Sequence, residues 1–338
     1  MLDNLIKSRS FEKDAFYLRK SIPFLSQRYN YLNNINYRTL SSQYIPNINS
    51  LISEAEASLD ILNQAATAES IKEPIPNKLW LYWNSPLESA PDVVKRSVQS
   101  WHQQNPEFEV TFLCDENLEQ ILGFNFNTTF RLATVNLGLA MKADILRLYL
   151  LSKYGGVWVD TTTFCLKPLS HWLPEATKDT HFFTFRHSSN QTRPVEAWFI
   201  AANQGNKIVQ STLQLFLEHL FKQRKHSLFI SNRIKKIGRR DNESNRFFLD
   251  TVQAAETKGF MPYFSVGYFF NESLNQPDTQ QIWKKLQNVT NNHSVNNDSF
   301  EKFKSSFVSK QTYKKDYMDG EIYKQRVLYL EDLLHKLI

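Results

Sequence analysis

Cysteine is close to absent from this chain: Cys114 and Cys165 are the two among 338 residues. Two thiols cannot make a disulfide scaffold, and they suit a reducing compartment better than an oxidising one. With no histidine partner at metal spacing, they read as packing residues. Glycine is scarce too, at nine residues, and neither a P-loop nor a glycine-rich dinucleotide motif is present. Nothing supports a serine or cysteine hydrolase. No apolar run approaches the length that spans a bilayer, so a membrane-crossing helix is not expected. The opening residues, Met1-Leu-Asp-Asn-Leu-Ile-Lys7, lack the apolar core of a secretory signal. Together these absences predict a cytoplasmic protein. Acid is missing locally: Lys222 to Arg240 holds eight Lys and Arg residues and no Asp or Glu, within a net charge of +6. That stretch reads either as a solvated surface loop or as a patch for anionic lipid headgroups or an anionic glycan. No nucleic-acid-binding motif accompanies it, so nucleic acid is not an expected partner.

What is present is a globular composition, 41% hydrophobic and 14% aromatic, in a chain long enough for a sizeable core. Residues 1–72 carry helical signals, among them Ser50-Leu-Ile-Ser-Glu-Ala-Glu-Ala-Ser-Leu-Asp-Ile-Leu62. Glu73-Pro74-Ile75-Pro76 ends this extension, since prolines so close do not fit within a helix. A βαβ pattern opens the remaining domain, 73–338. Lys78 to Trp83 predicts a strand, Pro91 to Gln104 a helix, and Phe108 to Leu113 a second strand by its alternation. Further strands are expected at Phe164–Leu166, His181–Arg186, Trp198–Ala202 and Tyr263–Phe270. Helices are expected at Lys207–Phe221, Arg246–Lys258 and Glu321–Leu337, the last docking through Leu328, Leu330, Leu333, Leu334 and Leu337. Gln287 to Ser299 is polar and reads as a loop. Strands alternating with helices imply an α/β fold with a mostly parallel sheet between helices.

The run from Ala143 to Thr163 is the most informative. Between Ala143 and Leu151 only Asp144 and Arg147 are charged, which predicts a buried helix. Three residues apart, both project from one face of it. Gly155-Gly156 can end that helix in a left-handed cap. Val157-Trp158-Val159 reads as a buried strand with Asp160 at its carboxyl end, where ligands of open α/β sheets bind. Two carboxylates and a guanidinium thus converge on one mouth. The plain alternatives are a buried Asp144–Arg147 ion pair and an Asp160 that caps a turn.

A helix with Asp-x-x-Arg, then Tyr-Gly-Gly, a hydrophobic strand and an Asp-x-Asp-like element resembles glycosyltransferase family 32. That family includes bacterial capsular polysaccharide synthesis proteins, fungal mannosyltransferases and clostridial glucosylating toxins, and the likeness is strongest to the capsular group. It extends to Ile75-Pro-Asn-Lys-Leu-Trp-Leu-Tyr-Trp83, Ser100-Trp101, Asn105-Pro106 and Trp198-Phe-Ile-Ala-Ala202, and covers roughly Ile75 to Leu220.

The resemblance implies a nucleotide-diphospho-sugar transferase of the GT-A type that moves a hexose to a glycan hydroxyl, with retention, in capsular or surface polysaccharide synthesis. It implies a nucleotide-sugar donor, a UDP-sugar ahead of a GDP-sugar, and a glycan or lipid-linked glycan acceptor at the inner face of the membrane. Asp160 would anchor Mn²⁺ or Mg²⁺, with Thr162, where the family usually has a second Asp, as a weak ligand or one acting through water. Asp144 would bind hydroxyls of the donor sugar, and Arg147 the sugar or the diphosphate. Trp80 matches the position that stacks the base, with Tyr82 beside it, although a strand Trp is as readily core. Trp158 lies near the donor or in the core. Arg246-Phe-Phe-Leu-Asp250 stands where members carry a Tyr-Phe-Leu-Phe-His-like run, so Asp250 is either a metal or acceptor residue or a polar helix residue. Two rival functions share these motifs: an effector-like transferase that modifies proteins, and a non-catalytic sugar-nucleotide-binding homologue.

Overall fold

The computed structural model describes residues 2–6, 22–32, 47–71, 73–135, 137, 139–187, 190, 193–222 and 264–336. Its centre is a five-stranded sheet in the order β2-β1-β3-β6-β5. The strands are β1 (Lys78–Tyr82), β2 (Glu109–Leu113), β3 (Gly156–Val159), β5 (Phe182–Arg186) and β6 (Val195–Ala202). β1 pairs in parallel with both β2 and β3, while β6 runs antiparallel to β3 and to β5. Four of the five strands therefore point one way, with β6 reversed. A second sheet, β4 (Thr163–Cys165), β8 (Val308–Lys310) and β7 (His293–Val295), begins three residues past Asp160.

The helix expected around Asp144 runs from Leu139 to Tyr154 and is buried on every side from Ile145 to Ser152. It ends as the two glycines require. Gly155 has φ +67° and its N–H bonds to Leu151 O at 3.0 Å, and Gly156 has φ +105°. A Cβ on Gly156 would lie 2.5 Å from the carbonyl oxygen of Lys78, so β3 approaches β1 only because the side chain is missing.

One hydrophobic core surrounds the main sheet and takes in helix Ile48–Ala66 through Ala55, Leu62 and Ala65. A second cluster docks helix Glu321–His335 onto helix Asp92–Gln104 and β4, through Tyr323, Val327, Leu330 and Leu334 against Val93, Val94 and Phe164. Three sequence expectations are corrected. Leu328 does not dock but is 66% exposed, one position off the 323, 327, 330, 334 stripe. The strand expected at Tyr263–Phe270 is a helix, Ser265–Leu274. The polar loop expected over Gln287–Ser299 includes β7. The helix expected at Arg246–Lys258 lies outside the described residues, as do Asp250, Leu337 and the basic stretch beyond Lys222.

Candidate active site

β1 lies between β2 and β3 in the sheet, so the chain leaves β1 toward one side and returns on the other. Loops that part at the carboxyl ends of such strands leave a crevice where ligands bind. Asp160 follows the last residue of β3, and the Thr161 hydroxyl donates to Tyr82 O at the end of β1, 2.9 Å away. That bond ties the two strand ends at the floor of the crevice.

Four charged side chains gather there. Arg147 Nη2 lies 2.9 Å from Asp144 Oδ1 and 3.2 Å from Asp160 Oδ1. Its Nη1 donates to the carbonyl oxygen of Ala197 in β6, and its guanidinium sits 5.2 Å from the centre of the Trp158 ring. Trp158 Nε1 donates to Asp160 Oδ1 at 3.1 Å. Lys310 Nζ, from β8, lies 2.6 Å from Asp160 Oδ2. Helix, two strands of the main sheet and one of the small sheet thus build the cluster together.

The two carboxylates have different environments. Asp144 is buried, and burial pushes its pKa up from 3.8 to about 6, with the charge of Arg147 opposing the rise and that of Asp160 adding to it. Burial also raises Asp160, but Lys310 and Arg147 outweigh it and hold the group below the usual carboxylate range. Asp160 is therefore the charged carboxylate at the mouth, and Asp144 the one that gains a proton under mild acid.

The sequence-predicted residues separate into two groups. Asp144, Arg147, Asp160 and Trp158 come together as described. Thr162 is adjacent and buried, with its carbonyl accepting Gln311 N at 2.7 Å. Trp80 points elsewhere: its Nε1 donates to Gly155 O, Tyr154 lies 5.8 Å from its ring, and Lys78 Nζ stands 5.9 Å from the indole centroid. The Tyr82 hydroxyl is bonded to Asp115 at 2.7 Å. Asp250 lies outside the described residues. Sequence reasoning missed Lys310, which is 150 residues from Asp160 and belongs to no short motif.

A divalent cation was expected on Asp160 and Thr162. Mg²⁺ and related hard cations use one or two available carboxylates together with substrate phosphates. Here both Asp160 oxygens are engaged by cationic or N–H donors, and Asp144 faces Arg147. Among the described residues no three His, Cys, Asp or Glu side chains gather as a metal site. Thr162 brings no charge. This donor set does not fit a tightly held resident cation.

Comparison with known proteins gives relatives with named activities. An initiation-specific alpha-1,6-mannosyltransferase from Candida albicans is 27% identical over 149 residues, 41% of this chain and 37% of its own length. The chain therefore spans little more than a third of that relative. The solved PaToxG glycosyltransferase is 15% identical, covering 70% of this chain and 94% of its own, with a TM-score of 0.33. The family of capsular polysaccharide synthesis proteins matches residues 28–327, nearly the whole length, and the chain belongs to that family.

Proposed function

We propose that this chain is a glycosyltransferase of the GT-A type that moves a hexose from a nucleotide-diphospho-sugar to a glycan hydroxyl in surface polysaccharide synthesis. The observation behind this reading is the cluster of Asp144, Arg147 and Asp160 at the parting of β1 and β3. A guanidinium suits phosphate oxygens because its planar fork matches their geometry. A buried carboxylate beside it suits the hydroxyls of a sugar, since such groups need fixed partners once water is excluded. Family membership and the mannosyltransferase relative point the same way.

In the transfer, the bond from the anomeric carbon to the β-phosphate oxygen breaks with its electron pair going to the phosphate. The acceptor hydroxyl oxygen forms the new bond to that carbon, and its proton passes to the departing phosphate oxygen. No side chain is placed as a nucleophile, so attack on the face the phosphate leaves, with retention, is the default. Arg147 orients the diphosphate and Asp144 the sugar. Trp158 holds Asp160 in place through its indole N–H.

No described helix is long and apolar enough to cross a membrane. Basic residues from Lys222 to Arg240 are proposed to meet the anionic surface that bears a lipid-linked acceptor, each near-surface charge contributing about 1 kcal/mol. A thermal-shift screen of UDP-, GDP- and CMP-sugars, followed by assay of nucleotide release, tests the main reading. One class of sugar nucleotide should raise the melting temperature and be turned over. No shift and no release with any of them would overturn it.

A further inference from the structure

Lys310 reaches the crevice from a part of the chain far from the run that announces the site. It ends β8, in register with Thr163, and the backbone beside it is held by a network around Gln311. Gln311 N donates to Thr162 O at 2.7 Å, and the Gln311 side-chain amide donates to the Ser309 hydroxyl at 2.7 Å. The fully buried Arg326 donates to Gln311 Oε1 at 3.2 Å and to Asp298 O at 2.6 Å. A partly exposed Lys–Asp pair adds only about 0–1 kcal/mol to stability, so stability gives little reason for placing an ammonium there.

Exposure shows what a ligand meets first. The side chains of Lys310 and Asp160 are 23% and 27% exposed, against 6% and 9% for Arg147 and Asp144. An ammonium has three donors. Among the described residues the side-chain partner of Lys310 is Asp160, which leaves two donors for other oxygens. The neighbouring carboxylates are already shared, so a second cation at Asp160 would stand against Lys310 at close range, where like charges repel strongly in a partly buried site.

We propose that Lys310, together with Arg147, is the cation of this site: its free ammonium donors bind the diphosphate of the donor and stabilise the charge on the departing phosphate, in place of a divalent metal. This rests on the glycosyltransferase reading above. Asp160 then serves to aim Lys310 and Arg147, and Thr162 needs no charge. The C1–O bond breaks as already written. The electron pair arrives on a phosphate oxygen that faces an ammonium and a guanidinium fixed before the reaction, which is the arrangement that lowers such a barrier most.

The experiment uses the full chain with the sugar nucleotide that the thermal-shift screen identifies. Transfer is measured in EDTA and with added Mn²⁺ or Mg²⁺, and binding of UDP, GDP and inorganic pyrophosphate is measured by calorimetry in EDTA. The wild type should retain its activity in EDTA and bind pyrophosphate there. Lys310→Met should lose about 10²–10³ in rate, the size seen when one transition-state donor is removed, and at least about tenfold in pyrophosphate affinity. Lys310→Arg, which keeps the charge, should retain part of both and shows that the position rather than folding is at issue. A wild type that turns over only with Mn²⁺ or Mg²⁺ would overturn the proposal and leave the transferase reading standing. Unchanged rate and pyrophosphate affinity in Lys310→Met would do the same. A wild type that neither binds nor turns over any sugar nucleotide, with or without metal, would overturn both.

Discussion

A carboxylate that is 9% exposed and faces one guanidinium holds its charge at a cost, and Asp144 is such a group. Its pKa lies at about 6 when folded, against 3.8 for the free side chain, because burial outweighs Arg147. Between about pH 4 and 6 the folded protein therefore binds the extra proton and the unfolded chain does not. The contribution of Asp144 is favourable at the low end of this window and is lost as pH rises through about 6. Asp144→Asn removes the titration, so its melting temperature should gain on the wild type between pH 4.5 and 7. Roughly 3 kcal/mol is the ceiling for such a shift, which corresponds to several degrees in a protein of this size. Parallel melting curves across that range would argue against it. Arg147→Lys tests the fork: one nitrogen reaches both Asp144 and Asp160 while the other reaches Ala197 O. A lysine cannot span all three. Donor affinity measured by calorimetry should fall about tenfold or more, and the melting temperature should fall as well, since each charged hydrogen bond lost within the protein accounts for about 1.5–3 kcal/mol. An affinity within twofold of the wild type would remove Arg147 from donor recognition. These residues were legible in the sequence because Asp144, Arg147 and Asp160 fall within seventeen positions of one another and helical spacing joins the first two. Lys310 was not, because a contact that joins side chains 150 residues apart leaves no local trace.

The strand that carries Asp160 is held by two glycines that no other residue can replace without strain. Gly156→Ala would keep φ near +105° and press a methyl group to within 2.5 Å of Lys78 O, so β3 and β1 must separate or the backbone must rotate. A loss on the order of 1–3 kcal/mol is expected from the backbone alone, measured by urea unfolding. Gly123→Ala is the comparison, since its φ is also positive but nothing stands within 4 Å of the added carbon. It should cost clearly less. Equal losses would mean that the close approach of β3 to β1 is not under constraint. The elements flanking this turn were readable, because helix Leu139–Tyr154, β3 and helix Lys207–Phe221 each announce themselves by composition or period. Helix Ser265–Leu274 was not. It is buried along nearly its whole length and packs on helix Lys207–Phe221, and so short an apolar stretch reads equally as a buried strand. Its Val266, Tyr268, Phe269 and Phe270 are residues enriched in strands. β7 hid for the opposite reason: three residues among Asn and Ser offer no hydrophobic alternation, and the partner that makes them a strand is β8.

The described residues form two hydrophobic cores, and the charged cluster lies on the seam between them. β3 and helix Leu139–Tyr154 belong to the first core, while β4 lies partly in the second, where Phe164 meets Tyr323, Leu330 and Val94. Asp160 to Thr162 is the turn that joins the two, and Lys310 enters from the small sheet. The helical reading of Glu321–His335 was legible, but its docking partner, helix Asp92–Gln104, could not be inferred from so distant a segment. Loosening the second core should therefore reach the active site without touching it. Leu330 is 1% exposed within the stripe that docks the last helix, and the same helix supplies Arg326 to the network around Gln311. Leu330→Ala should cost about 2–5 kcal/mol, as buried Leu-to-Ala changes do. It should also weaken pyrophosphate binding well below its melting temperature, because Gln311, the residue after Lys310, loses its fixed partner. Leu62→Ala, an equally buried change in helix Ile48–Ala66 of the first core, provides the control for stability alone. Matched losses of stability with a selective loss of pyrophosphate affinity in Leu330→Ala, read by calorimetry at about 15 °C, would show that the second core positions the site. Equal affinities in the two variants would show that the small sheet keeps its register without the last helix.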